Sequence, residues 1–195
     1  MLARRVDGEG LNMGGSYWSA HVPYRTDLEA ALQQARWDVY RSGEFFRDEP
    51  DLRARSMAEE EYVAWHTAWS RASWVEAFGE DADEPDYLES RIAWRAAQIE
   101  VTGPDTLLES QPFSGTHSVI DMTGIAEIPT EGMVAPVPAD MLDEVFGTRR
   151  PTATDVEQAV RTHRLSGWER WEGLYVVAYD GDTPNTIFFT GVSGD

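Results

Sequence analysis

One stretch of the sequence, from Pro112 to Pro129, holds residue types that could support acid–base chemistry. It places His117, a candidate base, four residues before Asp121, a carboxylate that could orient it. The apolar residues around Asp121 predict a short strand, in which both side chains share a face but stand about 13 Å apart at ~3.3 Å per residue. A hydrogen-bonded pair needs about 3 Å, so each residue would need a partner from elsewhere in the fold.

A plainer interpretation of this stretch is a turn that leads into a strand. Ser, Thr and Gly residues, which are present between Ser114 and Ser118, commonly satisfy backbone groups in turns. We favour the turn and keep an enzyme as the alternative. That enzyme would be a small cofactor-independent hydrolase or group transferase, with His117 as the base and Asp121 or Glu127 acting on a different neighbour.

The residue types that are absent exclude several classes of chemistry. The chain has no Cys, and all 16 of its basic residues are Arg. Without Lys there is no P-loop lysine and no Schiff base. Without Cys there is no thiol nucleophile, disulfide or thiolate zinc site. The four His residues lack metal-ligand spacing, so we predict no metal and no cofactor.

Charge gives the leading functional hypothesis. The 35 acidic and 16 basic residues give a formal net charge of −19, and neither half of the chain is basic. This balance disfavours nucleic acid and anionic membranes as partners, and no apolar run approaches the ~18 residues of a membrane span. We therefore expect a cytoplasmic, bacterial-type interaction module that binds or inhibits a basic partner protein, as an immunity protein or an antitoxin does. The acidic run that contains Glu80, Asp81 and Asp83 is the candidate contact patch.

Aromatic residues give a third hypothesis. The chain has 8 Trp, and two pairs, Trp37 with Tyr40 and Trp65 with Trp69, recur at helical spacing. Such stripes usually belong to a core. Because eight Trp are more than a small core needs, these four residues are also candidates for partner contacts or for the walls of a pocket that binds a small molecule.

Periodicity predicts the elements that position these residues. Helical patterns cover residues 26–43, 56–79 and 80–104, with Ser/Thr–x–x–Glu capping boxes at Thr26, Ser56 and Thr154. The second half reads as short strands and helices that end in a hairpin around residues 181–185. We predict an α+β fold in which a helical N-terminal half, of about three helices, packs on a mixed or antiparallel sheet. Residues 1–13 are expected to be a flexible tail, and residues 14–195 a single domain.

Overall fold

The computed structural model describes residues 15–49, 51–78, 87–165 and 169–194. The described residues form seven α-helices and one mixed sheet of five strands. The helices are α1 Leu28–Ser42, α2 Leu52–Ser56, α3 Glu59–Phe78, α4 Tyr87–Gln98, α5 Pro104–Glu109, α6 Ala139–Phe146 and α7 Ala153–Arg161. The strands are β1 Gly15–Pro23, β2 Gly124–Ile125, β3 Met133–Pro136, β4 Glu172–Asp180 and β5 Thr183–Gly194.

The strands follow the order β1-β5-β4-β3-β2 across the sheet. The predicted hairpin, β4 and β5, lies at its centre, and β1 pairs antiparallel with β5. Strands β2, β3 and β4 run parallel, and α6 and α7 come between β3 and β4 in the chain. A mostly helical first half followed by a mostly C-terminal sheet confirms the predicted α+β class.

Helices cover both faces of the central strands. Alternate side chains of a strand point to opposite faces, so neighbouring residues of β5 pack against different helices. On one face, Ile187 and Phe189 of β5 pack in a cluster with Leu32 of α1 and Trp18 of β1. On the other face, Phe188 packs in a cluster with Val156 and Ala159 of α7. The apolar centres of the hairpin strands therefore correspond to a sheet that is buried on both sides.

The region around Asp121 differs from the predicted strand. Residues Val119–Asp121 form one 3-10 turn, and only Gly124–Ile125 pair as a strand. The Ser118 hydroxyl accepts a hydrogen bond from the Ile120 N–H at 3.2 Å, and the Asp121 carboxylate accepts one from the Ser118 N–H at 3.4 Å. This capping box stabilises a turn against the extended conformation that the apolar run favours.

The first half contains two short helices, α2 and α5, besides the three that the sequence predicted, and side-chain capping explains α2. Asp51 accepts a hydrogen bond from the Arg53 N–H at 2.8 Å and starts α2 within a predicted loop. The N-caps of two predicted helices shift by a residue or two. The hydroxyl of Thr152 pairs with Asp155 at the start of α7, instead of Thr154 with Glu157, and Asp27 rather than Thr26 caps α1. None of the described helices is long and apolar enough to cross a membrane.

Candidate functional site

The loop that precedes the 3-10 turn holds His117 against an aromatic ring. The imidazole stacks on Phe46, with ring centroids 4.6 Å apart and planes 15° from parallel. The Phe46 N–H donates to the Thr116 carbonyl at 2.8 Å and joins the two segments. His117 has a left-handed backbone, with φ of 51°, and its side chain is half-buried.

Asp121 lies in a buried polar cluster with Thr116, Ser118 and Ser193. Its Oδ1 accepts from the Thr116 N–H at 2.6 Å and from the Thr116 hydroxyl at 2.8 Å. Its Oδ2 accepts from the Ser193 hydroxyl at 2.7 Å and, as above, from the Ser118 N–H. All four residues are buried. The carboxylate therefore ties the 115–121 loop to the end of β5.

Glu127 is exposed in the segment that follows β2. No hydrogen bond within the described part of the chain links His117, Asp121 and Glu127 to one another. The separation of about 13 Å that the sequence predicted for His117 and Asp121 assumed a strand, and it does not apply because Val119–Asp121 form a 3-10 turn. The catalytic role of the three residues stays a prediction.

The four candidate aromatic residues lie in two pairs on different helices. Trp37 and Tyr40 of α1 meet edge to face at 5.6 Å, and Trp65 and Trp69 of α3 stack at 6.2 Å with planes 17° apart. No ring contact joins the two pairs among the described residues. Each pair carries an arginine: Arg41 lies 5.3 Å from the Trp37 ring centroid, and Arg53 of α2 lies 4.6 Å from that of Trp65.

The aromatic residues of α3 run from the interior to the surface. Tyr62 is buried and stacks on His66, whose Nδ1 lies 2.9 Å from the Ser90 hydroxyl of α4. One turn further along α3, Trp69 is 55% exposed. We call the surface formed by Arg53, Trp65 and Trp69 the α3 aromatic face.

The acidic patch predicted from the sequence, Glu80, Asp81 and Asp83, is not among the described residues. No group of three or more His, Asp or Glu side chains that could hold a metal ion occurs within the described ranges.

The sequence did not predict a cleft of about 140 Å³ where α2, α3 and α4 meet the loop after α5. We call it the junction cleft. Its lining comes from residues 47–49, Asp51 and Arg55, from Tyr62, from Ala93, Ala96, Ala97 and Val101, and from residues 110–114. The segments fall into two regions of the sequence, residues 47–62 and 93–114, and only Asp51, a helix N-cap residue before an apolar position, carried a readable local signal.

Hydrogen bonds hold the polar wall of the junction cleft in place. Asp48 accepts a short hydrogen bond from the Ser114 hydroxyl, and its N–H donates to Gln111 Oε1 at 2.6 Å. The Tyr62 hydroxyl donates to Asp51 Oδ2 at 2.9 Å. Burial, followed by the bond and charge of Asp51, raises the pKa of Tyr62 well above its ordinary value of 10.0. Tyr62 therefore stays protonated and keeps donating to Asp51 in mildly alkaline solution.

This raised pKa predicts an alkaline loss of stability. A tyrosine whose pKa is higher in the folded state stabilises the fold fully below the unfolded-state pKa, and this contribution falls as pH rises above about 10. We expect Tyr62→Phe to lose about 1 kcal/mol at neutral pH, because the bond to Asp51 is lost. The variant should then lose less stability than the wild type between about pH 9 and pH 11. Urea unfolding at both pH values measures this difference.

Tyr17→Phe is the matched control, since it removes an exposed hydroxyl from β1. If Tyr62→Phe and the wild type lose equal stability between the two pH values, the folded chain does not hold Tyr62 in the protonated form.

Comparisons with known proteins give no relative. No family model, no curated protein and no solved structure matches the chain.

Proposed function

We propose that the protein is an interaction module that binds a basic partner protein through the α3 aromatic face. The observation that carries this proposal is the exposure of Trp69, which is 55% exposed beside the half-buried Trp65. Large aromatic side chains are more often buried, and their exposure next to one another is typical of contact surfaces.

The residue types of the face favour protein recognition. Trp, Tyr and Arg are enriched among the residues that dominate binding energy at protein interfaces. The stack of Trp65 on Trp69 presents flat apolar area with few rotatable bonds, so little conformational entropy is lost when a partner covers it. Arg53 lies over Trp65, which means that the indole faces already accept one cation.

The net charge of the chain favours a basic partner. A net charge of −19 attracts a basic protein over distances of about 10 Å at moderate salt and accelerates its association. Arg or Lys side chains of such a partner could also lie on the exposed indole of Trp69, as Arg53 does on Trp65. Inhibition of that partner, in the manner of an immunity protein or an antitoxin, is the activity that we propose for a bacterial-type chain of this charge.

Replacing Trp69 by Ala should abolish capture of the partner. We expect the tagged wild type to retain a basic protein from host lysate at low salt and to release it at high salt, because charge contributes to binding. Truncating a central aromatic residue costs about 2 kcal/mol or more, which is roughly a 30-fold loss of affinity. Mass spectrometry identifies the retained protein, and titration of that protein measures the loss.

Trp37→Ala is the matched control, because it removes a 39% exposed Trp that lies on α1 and outside the α3 aromatic face. If Trp69→Ala retains the same protein with wild-type affinity, the face is not the contact surface. If no basic protein is retained at any salt concentration, the proposed function itself is wrong.

A further inference from the structure

We propose that the junction cleft binds a free α-amino acid in its zwitterionic form. The cleft is lined by two arginines, Arg47 and Arg55, and by three carboxylates, of Asp48, Glu49 and Asp51. No ion pair shorter than 4.0 Å joins these arginines to a carboxylate anywhere in the described part of the chain. Charged groups of both signs therefore line one small space while they remain available to a ligand.

The arginines supply the donors for a carboxylate. Arg55 uses its Nε–H to donate to the Ala97 carbonyl at 2.9 Å, and this bond positions its guanidinium at the end of α4. Arg47 is exposed, and its side chain has no hydrogen bond to another described residue. Guanidinium forks match the geometry of a carboxylate and bind it with two parallel hydrogen bonds.

The acidic wall supplies the acceptors for an ammonium group. Both Asp51 oxygens are already occupied, one by the N-terminus of α2 and one by Tyr62. Asp48 uses only Oδ2, for the Ser114 hydroxyl, and the exposed Glu49 has no hydrogen bond within the described ranges. The free oxygens of Asp48 and Glu49 are the ones that an ammonium donor would reach.

The charge balance of the cleft favours a zwitterion over a simple ion. An anion alone would approach three carboxylates, and a cation alone would approach two guanidinium groups, so each would meet repulsion from like charges. A ligand that carries one charge of each sign, separated by one carbon atom, can pair with both sets at once. The free-energy cost of removing water from the ligand's ammonium and carboxylate groups is then compensated by an ion pair at each group.

The volume and the apolar wall limit the ligand to a small amino acid. The cleft has about 140 Å³, whereas sites for drug-sized ligands span about 300–1,000 Å³. Small side chains of α4, Ala93, Ala96 and Ala97, line it together with Val101. These methyl groups suit a short aliphatic side chain such as that of alanine.

The test titrates the full chain with three probes and follows binding by calorimetry and by NMR shifts of cleft residues. The probes are L-alanine, L-alanine methyl ester and N-acetyl-L-alanine. We expect L-alanine to bind, and each derivative to bind about tenfold more weakly or worse, because each has lost one charge-assisted contact. Equal binding of the acetylated probe would make this an anion site, equal binding of the ester would make it a cation site, and absence of L-alanine binding would overturn the proposal.

Variants locate the bound probe. Arg47→Gln and Glu49→Gln should each weaken L-alanine binding about tenfold. Arg41→Gln is the matched control, since Arg41 lies on α1 and pairs with Asp38 outside the cleft. Unchanged affinity in both cleft variants would place the probe elsewhere and overturn the assignment. Trp69→Ala should leave L-alanine binding unchanged, so this inference stands or fails independently of the α3 aromatic face.

Discussion

Replacing Asp121 by Ala is expected to lower the free energy of unfolding by about 3 kcal/mol. The change removes the acceptor of four hydrogen bonds at a residue that is 4% exposed. It leaves the buried N–H groups of Thr116 and Ser118 without that acceptor, and unsatisfied buried donors cost more than the bonds themselves contribute. Because Ser193 lies near the end of β5, the loss should also loosen the C-terminal part of the sheet.

Asp121→Asn separates the loss of the acceptor from the loss of volume. The amide keeps the shape and one acceptor oxygen, and the Ser193 hydroxyl can rotate to accept from the new NH2 group. We expect Asn to cost about half as much as Ala. Asp143→Ala is the surface control, since its ion pair with Arg149 is half-exposed, and we expect it to cost less than ~1 kcal/mol.

Urea unfolding measures all three Asp variants. If Asp121→Ala is as stable as Asp143→Ala, the buried polar cluster does not hold the fold together, and a role for Asp121 in chemistry would gain weight. Exchange of the β5 amide hydrogens shows whether the C-terminal strand opens first in Asp121→Ala, as the contact with Ser193 predicts.

The second large effect is expected from Gly191→Ala, which should also cost about 3 kcal/mol. A Cβ at this position would lie 2.3 Å from Cζ2 of Trp18 and 2.6 Å from the carbonyl oxygen of Glu172. The Trp18 indole is buried at 7% exposure in the core, and the Glu172 carbonyl belongs to the neighbouring strand β4. Neither can move away without disturbing the pairing of β1, β4 and β5.

Gly147→Ala is the control for the loss of a glycine. Gly147 follows α6 with a left-handed φ of 67°, and a Cβ there meets open space. Its replacement should therefore cost only the backbone strain of about 1 kcal/mol. Thermal unfolding followed by Trp fluorescence compares the two variants. Equal stability of both would mean that Trp18 does not pack on Gly191 as closely as the structure shows.

Local pattern predicted much of the fold. The alternation along residues 16–24 separates Trp18, Ala20 and Val22 from Tyr17, Ser19 and His21 on opposite faces of an extended segment, and Trp18 and Val22 are buried. The helical spacing of Leu28, Ala31, Leu32 and Ala35 predicted the face of α1 that packs in the core. These predictions succeed because the period of two residues in a strand, or of 3.6 residues in a helix, is visible within one short segment of the sequence.

Local pattern failed where side chains compete with the backbone. The run from Ser118 to Met122 is apolar enough for a strand, but the Ser118 hydroxyl accepts from the Ile120 N–H and Asp121 accepts from the Ser118 N–H, and these bonds hold a 3-10 turn. The same kind of short-range bond, from Asp51, starts α2 within a predicted loop. Propensity and periodicity do not show whether a backbone N–H will bond to a nearby side chain or to a neighbouring strand.

The sequence by itself determined the charge of −19, the absence of lysine and cysteine chemistry, and the α+β class. Only the tertiary structure decided which polar residues are structural and which face open space. Asp121 meets Ser193 across 72 positions, and the Asp48 N–H meets Gln111 across 63. The junction cleft joins residues 47–62 to residues 93–114, and no local period encodes the proximity of these two regions. Contacts of this range form only when the packed core brings distant elements together, so their chemistry cannot be read from spacing along the chain.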